Sequence, residues 1–298
     1  MSIAHFKVFR DIGQSRSISQ AAALNSISQS AVSQTVKALE KQLGVVLIDR
    51  TTRPLTLTSA GEIYYEAARD IVRRHEEMEA HLEIHKNVLS GSVHVASIYS
   101  IGLYEMTQYR ERFLQMHPET KIHLEFMRPD KIYEALLDDR VDFGLVSYPT
   151  PSKALSVIDW RTEQMVLVCH PEHELAKRKT IVPSDLARRD FISFDQGLSI
   201  RKALDRFFRE HGISRIVQLE FDNIQMIKEA LSINQGVSIL PERTVRQEVL
   251  EQRLVAIPIQ AAGLVRPVGI LLNRKRKLSR TAQEFLEFLR GNERAEAA

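Results

Sequence analysis

Apolar residues recur along residues 3–12 at Ile3, Phe6, Val8, Phe9 and Ile12, close to the 3.6-residue period of a helix. A second short helix is expected over 17–24, carrying Ala21, Ala22 and Ala23, with a bend at Asn25-Ser26. A third starts near Ser28 and places Ala31, Val32, Val36, Leu39 and Leu43 on one face, and Gly44 suits its C-terminal cap. The apolar run 45–48, a turn over 49–54 and the alternating residues 55–57 predict two short strands. Two helices joined by a tight turn and followed by a two-stranded wing make a winged helix-turn-helix over 1–58.

The period then lengthens. Tyr64, Ala68, Ile71, His75, Met78, Leu82, His85 and Leu89 fall at alternating steps of four and three. This heptad seam predicts one long helix over 59–90, begun by a capping box of Ser59 and Glu62. A lone helix would expose the seam, so a homodimer held by Tyr64, Ala68, Ile71, Met78 and Leu82 is the simplest expectation. His75 and His85 are read as polar positions that set register. Ser90-Gly91-Ser92 serves as a hinge.

Beyond it, strands are expected at 93–98, 122–127, 142–146, 165–169, 191–194, 216–221, 236–240 and 268–272. Helices are expected near 101–116, 130–138, 199–211, 223–233, 241–250 and 280–290. Alternating strands and helices imply an α/β domain over 91–298 with a largely parallel sheet.

Composition leaves this picture unchanged, because 44% hydrophobic and 27% charged residues are ordinary for a globular chain of 298 residues. The N-terminus lacks the pattern of a secretory signal, no apolar run is long enough to span a membrane, and there is one cysteine, Cys169. A cytoplasmic protein is expected. Charge does add something. Residues 1–58 hold seven Lys/Arg against three acids, a balance of +4 in a chain whose total is +3. A basic head on a near-neutral body implies a polyanion partner for the head.

That head carries suitable chemistry. The N-terminal residues of the second motif helix face base edges in the major groove. Gln29 and Gln34 have amides that pair bidentately with adenine, and Ser28, Ser30 and Ser33 can bond bases or phosphates. Lys37 meets backbone charge further along the helix. Arg50 and Arg53 sit on the wing, placed for flanking phosphates or a narrow minor groove. The competing reading of Ser28 is a plain helix cap.

The segment SISQAAALNSISQSAVSQTVKALEKQLGVVLIDRTTRPLTLTSAG closely resembles the N-terminal signature of LysR-type transcriptional regulators. GSVHVASIYSIG, VDFGLVS, EFDNIQMIKEALSINQGVSILPE and RPVGILLNRKRKLSRTAQEFLEFL resemble the effector domain of the same family, so the likeness covers essentially the whole chain. It implies a dimerising linker helix at 59–90 and a periplasmic-binding-protein-like effector domain of two α/β subdomains. The first would hold 91–161 and 266–298, the second 162–265. It also implies double-stranded DNA with an interrupted palindrome as partner, a homodimer assembling into a homotetramer, and RNA polymerase as a further candidate partner. Two departures stand out: Leu47-Ile48 where the family usually has Leu-Phe, and Ser30 where it often has Pro.

Ligands of open α/β sheets lie beyond the carboxyl ends of strands, at helix starts, and the family places its small-molecule site between the subdomains. Ser97, Ser100 and Ile101 follow the first strand of the domain, and Ser147 ends the third. Phe194, Ser199 and Arg201 follow a later strand, with Arg201 as a fork for a carboxylate. Asn223 follows another. A small, anionic effector of unspecified identity is expected there. No cofactor or metal is implied. His170, His173 and Glu174 in "HPEHE" look like a metal cluster but sit in a polar turn after a strand with no third ligand placed by the sequence, and Cys169 reads as a buried strand residue. There is no nucleophile elbow, Gly-rich phosphate loop or HExxH helix, so no enzyme is expected. The alternative is a solute-binding protein or small-molecule enzyme on the same scaffold, which would leave the first 90 residues without a role.

Overall fold

The computed structural model describes residues 2–52, 54–83 and 89–296, so Arg53 and His85 lie outside it. The chain divides into two compact units, Met1–Asn87 and Val88–Ala298.

The first unit contains helices α1 (Ile3–Ser15), α2 (Ile18–Leu24) and α3 (Gln29–Leu43), strands β1 (Ile48–Asp49) and β2 (Thr56–Leu57), and the long helix α4 (Ser59–Glu83). Each start has a local cause. Ser17 Oγ accepts from the Gln20 backbone N–H, and Ser28 Oγ accepts from that of Ala31. Gly44 closes α3 with φ +71°, the left-handed conformation that favours glycine. The cap of α4 differs from expectation: Thr58 Oγ1 accepts from Gly61 N–H at 3.0 Å, and Glu62 is paired with Arg16. The core is Val8, Phe9, Ile12, Val32, Val36, Leu39, Leu47 and Ile48. The wing is shorter than the apolar run suggested, because Val45 and Val46 are exposed before β1 begins.

The second unit opens with β3 (Gly91–Ser97), so Gly91 and Ser92 are strand residues paired with Thr120 and Lys121 rather than a free hinge. Then come α5 (Tyr99–Ile101), a π-helical turn (Gly102–Met106), α6 (Thr107–Met116), β4 (Thr120–Phe126), α7 (Pro129–Leu137), β5 (Phe143–Ser147) and β6 (Leu155–Cys169). The chain continues with β7 (Asp190–Phe194), α8 (Ser199–Glu210), β8 (Ile216–Phe221), α9 (Ile224–Ser232), β9 (Val237–Pro241), α10 (Arg246–Leu250), β10 (Val255–Pro258), β11 (Val265–Asn273) and α11 (Arg280–Glu296).

The strands are ordered β4-β3-β5-β11-β6-β9-β7-β8, with β10 also on β6. Two cores lie along this path. One gathers Val93, Val95, Phe113, Phe143 and Phe285, the other Val168, Phe191, Ile227, Ile239 and Leu240, so the unit has two α/β lobes. The long β6 runs through both. It pairs with β11 as far as Gln164, and with β9 from Met165 onward. The sheet is therefore mixed, against the expectation of a largely parallel one. β3, β4 and β5 are parallel, as are β7, β8 and β9, but β6 and β11 carry the chain between lobes in opposite directions and pair antiparallel. Leu89 packs on the first lobe's core, so it is not part of an exposed seam.

Candidate functional sites

On α3 the buried residues Val32, Val36 and Leu39 define the inner face. Gln29, Ser30, Gln34 and Lys37 are exposed and Ser33 is half-buried. At 100° per residue Ser30, Gln34 and Lys37 lie on the side away from the core, Ser33 lies at its border, and Gln29 shares the stripe of Val32 and Val36 but is exposed because it opens the helix. Ser28 Oγ serves as the N-cap and also meets Ser30 Oγ at 2.8 Å. The helix is held in place from behind. Buried Asp11 accepts from Asn25 Nδ2 at 2.7 Å and from Arg10 Nε at 2.8 Å, which ties α1 to the bend before α3. Glu40 Oε1 accepts from the backbone N–H groups of Leu47 and Ile48, and Glu40 Oε2 lies 3.7 Å from Arg50 on the exposed wing.

Along α4 the expected seam divides. Tyr64 stacks on Phe6 and meets Phe9 edge-on, and Ala68 is fully buried in the head, so both are spent within the chain. The cause is α1, which lies along the first turns of α4 and covers that stripe. Ile71, Met78 and Leu82 stay exposed at 41%, 50% and 59%. His75 Nδ1 sits 3.2 Å from Glu79.

Between the lobes of the second unit is a cleft enclosing about 500 Å³ of space open to solvent. Ser100, Ser147, Phe194, Ser199 and Asn223 line it, together with Ile98, Tyr99, Met127, Leu198, Ile200 and Ile224. Besides the single turn α5, three longer helices begin at its wall: α7, α8 and α9. Asn223 caps α9, accepting from Met226 N–H at 3.0 Å. The N-cap residues of α7 and α8 are Arg128 and Leu198, and neither makes a side-chain cap bond. First-turn N–H groups of two helices thus face the cleft without a side-chain acceptor.

Three expected residues are elsewhere. Ser97 is fully buried and donates to Ile98 O, and Ile101 is buried in the first lobe's core. Arg201 is turned out of the cleft. Its Nε donates to Asp205 one helical turn on, and its Nη1 donates to Glu220 at 2.6 Å and to Phe194 O at 2.7 Å. A carboxylate four residues away on the same helix, and another on the neighbouring β8, outcompete open solvent for that guanidinium.

The cations of the cleft are instead Arg128 and Arg266. Arg128 Nη1 donates to Asp222 Oδ2 at 3.1 Å, joining the two lobes at the mouth. Arg266, only 1% exposed, donates from Nε to Glu163 Oε2 at 2.7 Å and from Nη1 to Ser100 Oγ at 2.8 Å. Glu163 also accepts from Arg161, which reaches on to Glu105. Burial works to raise the Glu163 pKa, but Arg266 and Arg161 more than offset it and hold the carboxyl below its ordinary value. A signal for Arg266 did exist: it is a charge set in an apolar strand where the chain re-enters the first lobe.

The remaining chemistry is structural. His170 and His173 each use Nδ1 to accept a nearby backbone N–H. Cys169 is fully buried, and burial pushes its thiol up to about 11. No described helix is long and apolar enough to cross a membrane.

The same two-part organisation occurs in known proteins. The chain is 27% identical over 289 residues to the RuBisCO operon transcriptional regulator of Allochromatium vinosum, covering 97% of this chain and 95% of that one. Its fold is shared with full-length CbnR, solved in complex with its target DNA (TM-score 0.67, 21% identity, covering 98% and 99% of the two chains). The regulatory domain of Synechocystis PCC6803 CcmR, solved with 2-PG, covers 68% of this chain and 97% of its own (TM-score 0.63, 23% identity). The profile described as "Bacterial regulatory helix-turn-helix protein, lysR family" matches residues 3–62, and that described as "LysR substrate binding domain" matches residues 86–294. With a winged helix-turn-helix in its first unit and a two-lobed α/β fold in its second, the chain belongs to the LysR family of DNA-binding transcriptional regulators.

Proposed function

We propose that this regulator reads its operator through Gln29, Ser30, Ser33 and Gln34, with Lys37 and Arg50 on backbone phosphates, and that a small anionic effector in the interlobe cleft sets its response. Residues 1–58 act as the DNA-binding head, 59–90 as the linker and 91–298 as the effector domain. Two copies join through Ile71, Met78 and Leu82 on α4.

One observation carries the effector reading: the uncapped starts of α7 and α8 face a cleft that also holds Ser100, Ser147 and Ser199. Backbone N–H groups and helix dipoles supply donors and positive potential, which suits an oxyanion. The apolar remainder of the wall suits the ligand's carbon frame. Because β6 and β11 link the lobes, a ligand touching both favours one arrangement of them. It moves that equilibrium only by its difference in affinity for the two arrangements, so a tenfold change in promoter response requires about 1.4 kcal/mol.

2-PG, the ligand in the CcmR structure, is the first probe. Titration calorimetry on the full chain is expected to give saturable binding that weakens in Ser199→Ala. The same ligand is expected to alter the operator footprint. Binding that ignores Ser199 and leaves the footprint unchanged counts against the cleft as the effector site.

A further inference from the structure

We propose that a groove at the lobe junction, separate from the cleft, is a second oxyanion site that takes a doubly charged ligand, a dicarboxylate or a phosphate monoester. Its existence does not depend on the cleft reading above.

The groove encloses about 1190 Å³ of space open to solvent and shares no lining residue with the cleft. The first lobe supplies Glu105 from the π-helical turn and Arg112 from α6. The second lobe supplies Arg243 and, from α10, Arg246 and Glu248.

The charges of this wall do not cancel. Glu248 is 5% exposed and accepts from the buried Lys228 Nζ behind it. Glu105 accepts from Nη1 and Nη2 of Arg161, whose side chain is also buried. Arg161 in turn shares Glu163 with Arg266, so two cations and two carboxylates balance along this buried chain before any guanidinium of the groove is counted. Both acids of the wall are thus neutralised from inside the molecule.

Three guanidiniums remain: Arg112, Arg243 and Arg246. Arg243 Nη1 lies 3.4 Å from Glu105, a carboxylate already engaged by Arg161. Arg112 Nη2 donates to the neutral Asn292 Oδ1, and among the described residues no carboxylate pairs with Arg112 or Arg246. Three like charges on one wall repel, and a dianion relieves that repulsion where a monoanion leaves most of it. Guanidinium forks match the paired oxygens of carboxylates and phosphates. The amides of Gln225 and Gln247 are turned to Glu229 and Glu251 one turn along their helices, so the arginines supply the ligand's donors. Leu103 and Leu250 stand exposed beside them to cover a short carbon frame. Because Arg112 and Arg243 belong to different lobes, a ligand bridging them favours the arrangement in which they converge, which gives the effector domain a second input.

The test is titration calorimetry on the full chain at low ionic strength and mildly alkaline pH, where inorganic phosphate is doubly charged. Phosphate and succinate are the dianion probes, acetate the singly charged control. At least one dianion is expected to bind, with acetate about tenfold weaker or more, and the tighter of the two assigns the ligand to phosphates or to dicarboxylates. Arg112→Gln and Arg246→Gln, both at exposed positions, are each expected to weaken the dianion about tenfold. Ser199→Ala in the cleft, and Arg178→Gln at an exposed site outside both cavities, are expected to leave it within about twofold. Crystals soaked in selenate, located by its anomalous scattering, are expected to show the anion between Arg112 and Arg246.

No dianion binding, or binding that survives both arginine variants, overturns the groove site. Binding lost in Ser199→Ala instead, with selenate confined to the cleft, also overturns it and leaves the cleft reading standing. Acetate bound as tightly as the dianions overturns the doubly charged class.

Discussion

Gln29 and Ser33 differ from most polar residues of the head in what they leave undone. Among the described residues neither side chain takes part in a hydrogen bond, although Gln29 is exposed and Ser33 is half-buried on α3. Replacing either with Ala is expected to weaken specific operator binding, with a lost base contact costing about 1–3 kcal/mol, and to leave random-sequence DNA unaffected. Competition gel-shifts check this, and equal losses on both DNAs would remove the base-reading role. Arg201 carries the opposite lesson. An arginine after a strand and at a helix start looks like a carboxylate clamp in the sequence. In the structure it is buried against Asp205 and Glu220, which are both about a third exposed. Arg201→Ala is therefore expected to reduce stability by on the order of 1–3 kcal/mol, seen as a lower melting temperature, while effector affinity stays near wild type. Thermal melts beside the 2-PG titration separate the two roles, and a variant of unchanged stability with lost ligand binding restores the clamp.

Among elements, α4 was the most legible in outline and the least in detail. Heptad spacing identified a long helix with an apolar stripe. It could not say that α1 would cover the first part of that stripe, because a seam looks alike whether its partner lies in the same chain or another. Tyr64 and Ala68 belong to the head's core, while Ile71, Met78 and Leu82 remain exposed, as the proposed dimer contact requires. Ile71→Asp is expected to break the dimer by placing an unpaired charge in its interface. Sedimentation at micromolar concentration checks it, and a fully dimeric variant would show that the contact lies elsewhere. β6 is the converse case. Its apolar half, 165–169, is an evident strand, but the preceding residues set the charges Asp159, Arg161 and Glu163 at every second position, as on a strand side that faces water. Arg161 and Glu163 face each other and Arg266 across the lobe junction rather than water, which only the pairing with β11 reveals.

For the whole molecule, the ion network at that junction links stability to pH. The Glu163 pKa lies below its ordinary 4.5 in the folded chain, so the residue contributes stability above that value and loses it as pH falls through the folded pKa. The difference in melting temperature between wild type and Glu163→Gln is expected to be largest near neutrality and to shrink on acidification below about pH 4.5. A difference independent of pH across that window contradicts the assignment. Local sequence patterns were sufficient for the head, the long helix, the alternation of strands and helices, and five cleft residues, since periodicity, capping chemistry and strand-to-helix junctions are written in neighbouring residues. Arg266, Glu163 and Arg161 are brought together by strands that cross between the lobes in opposite directions, and Arg201 is drawn away by a carboxylate on another strand. A charged side chain pairs with whatever opposite charge the fold delivers nearest to it, and that distance is set by the tertiary structure alone.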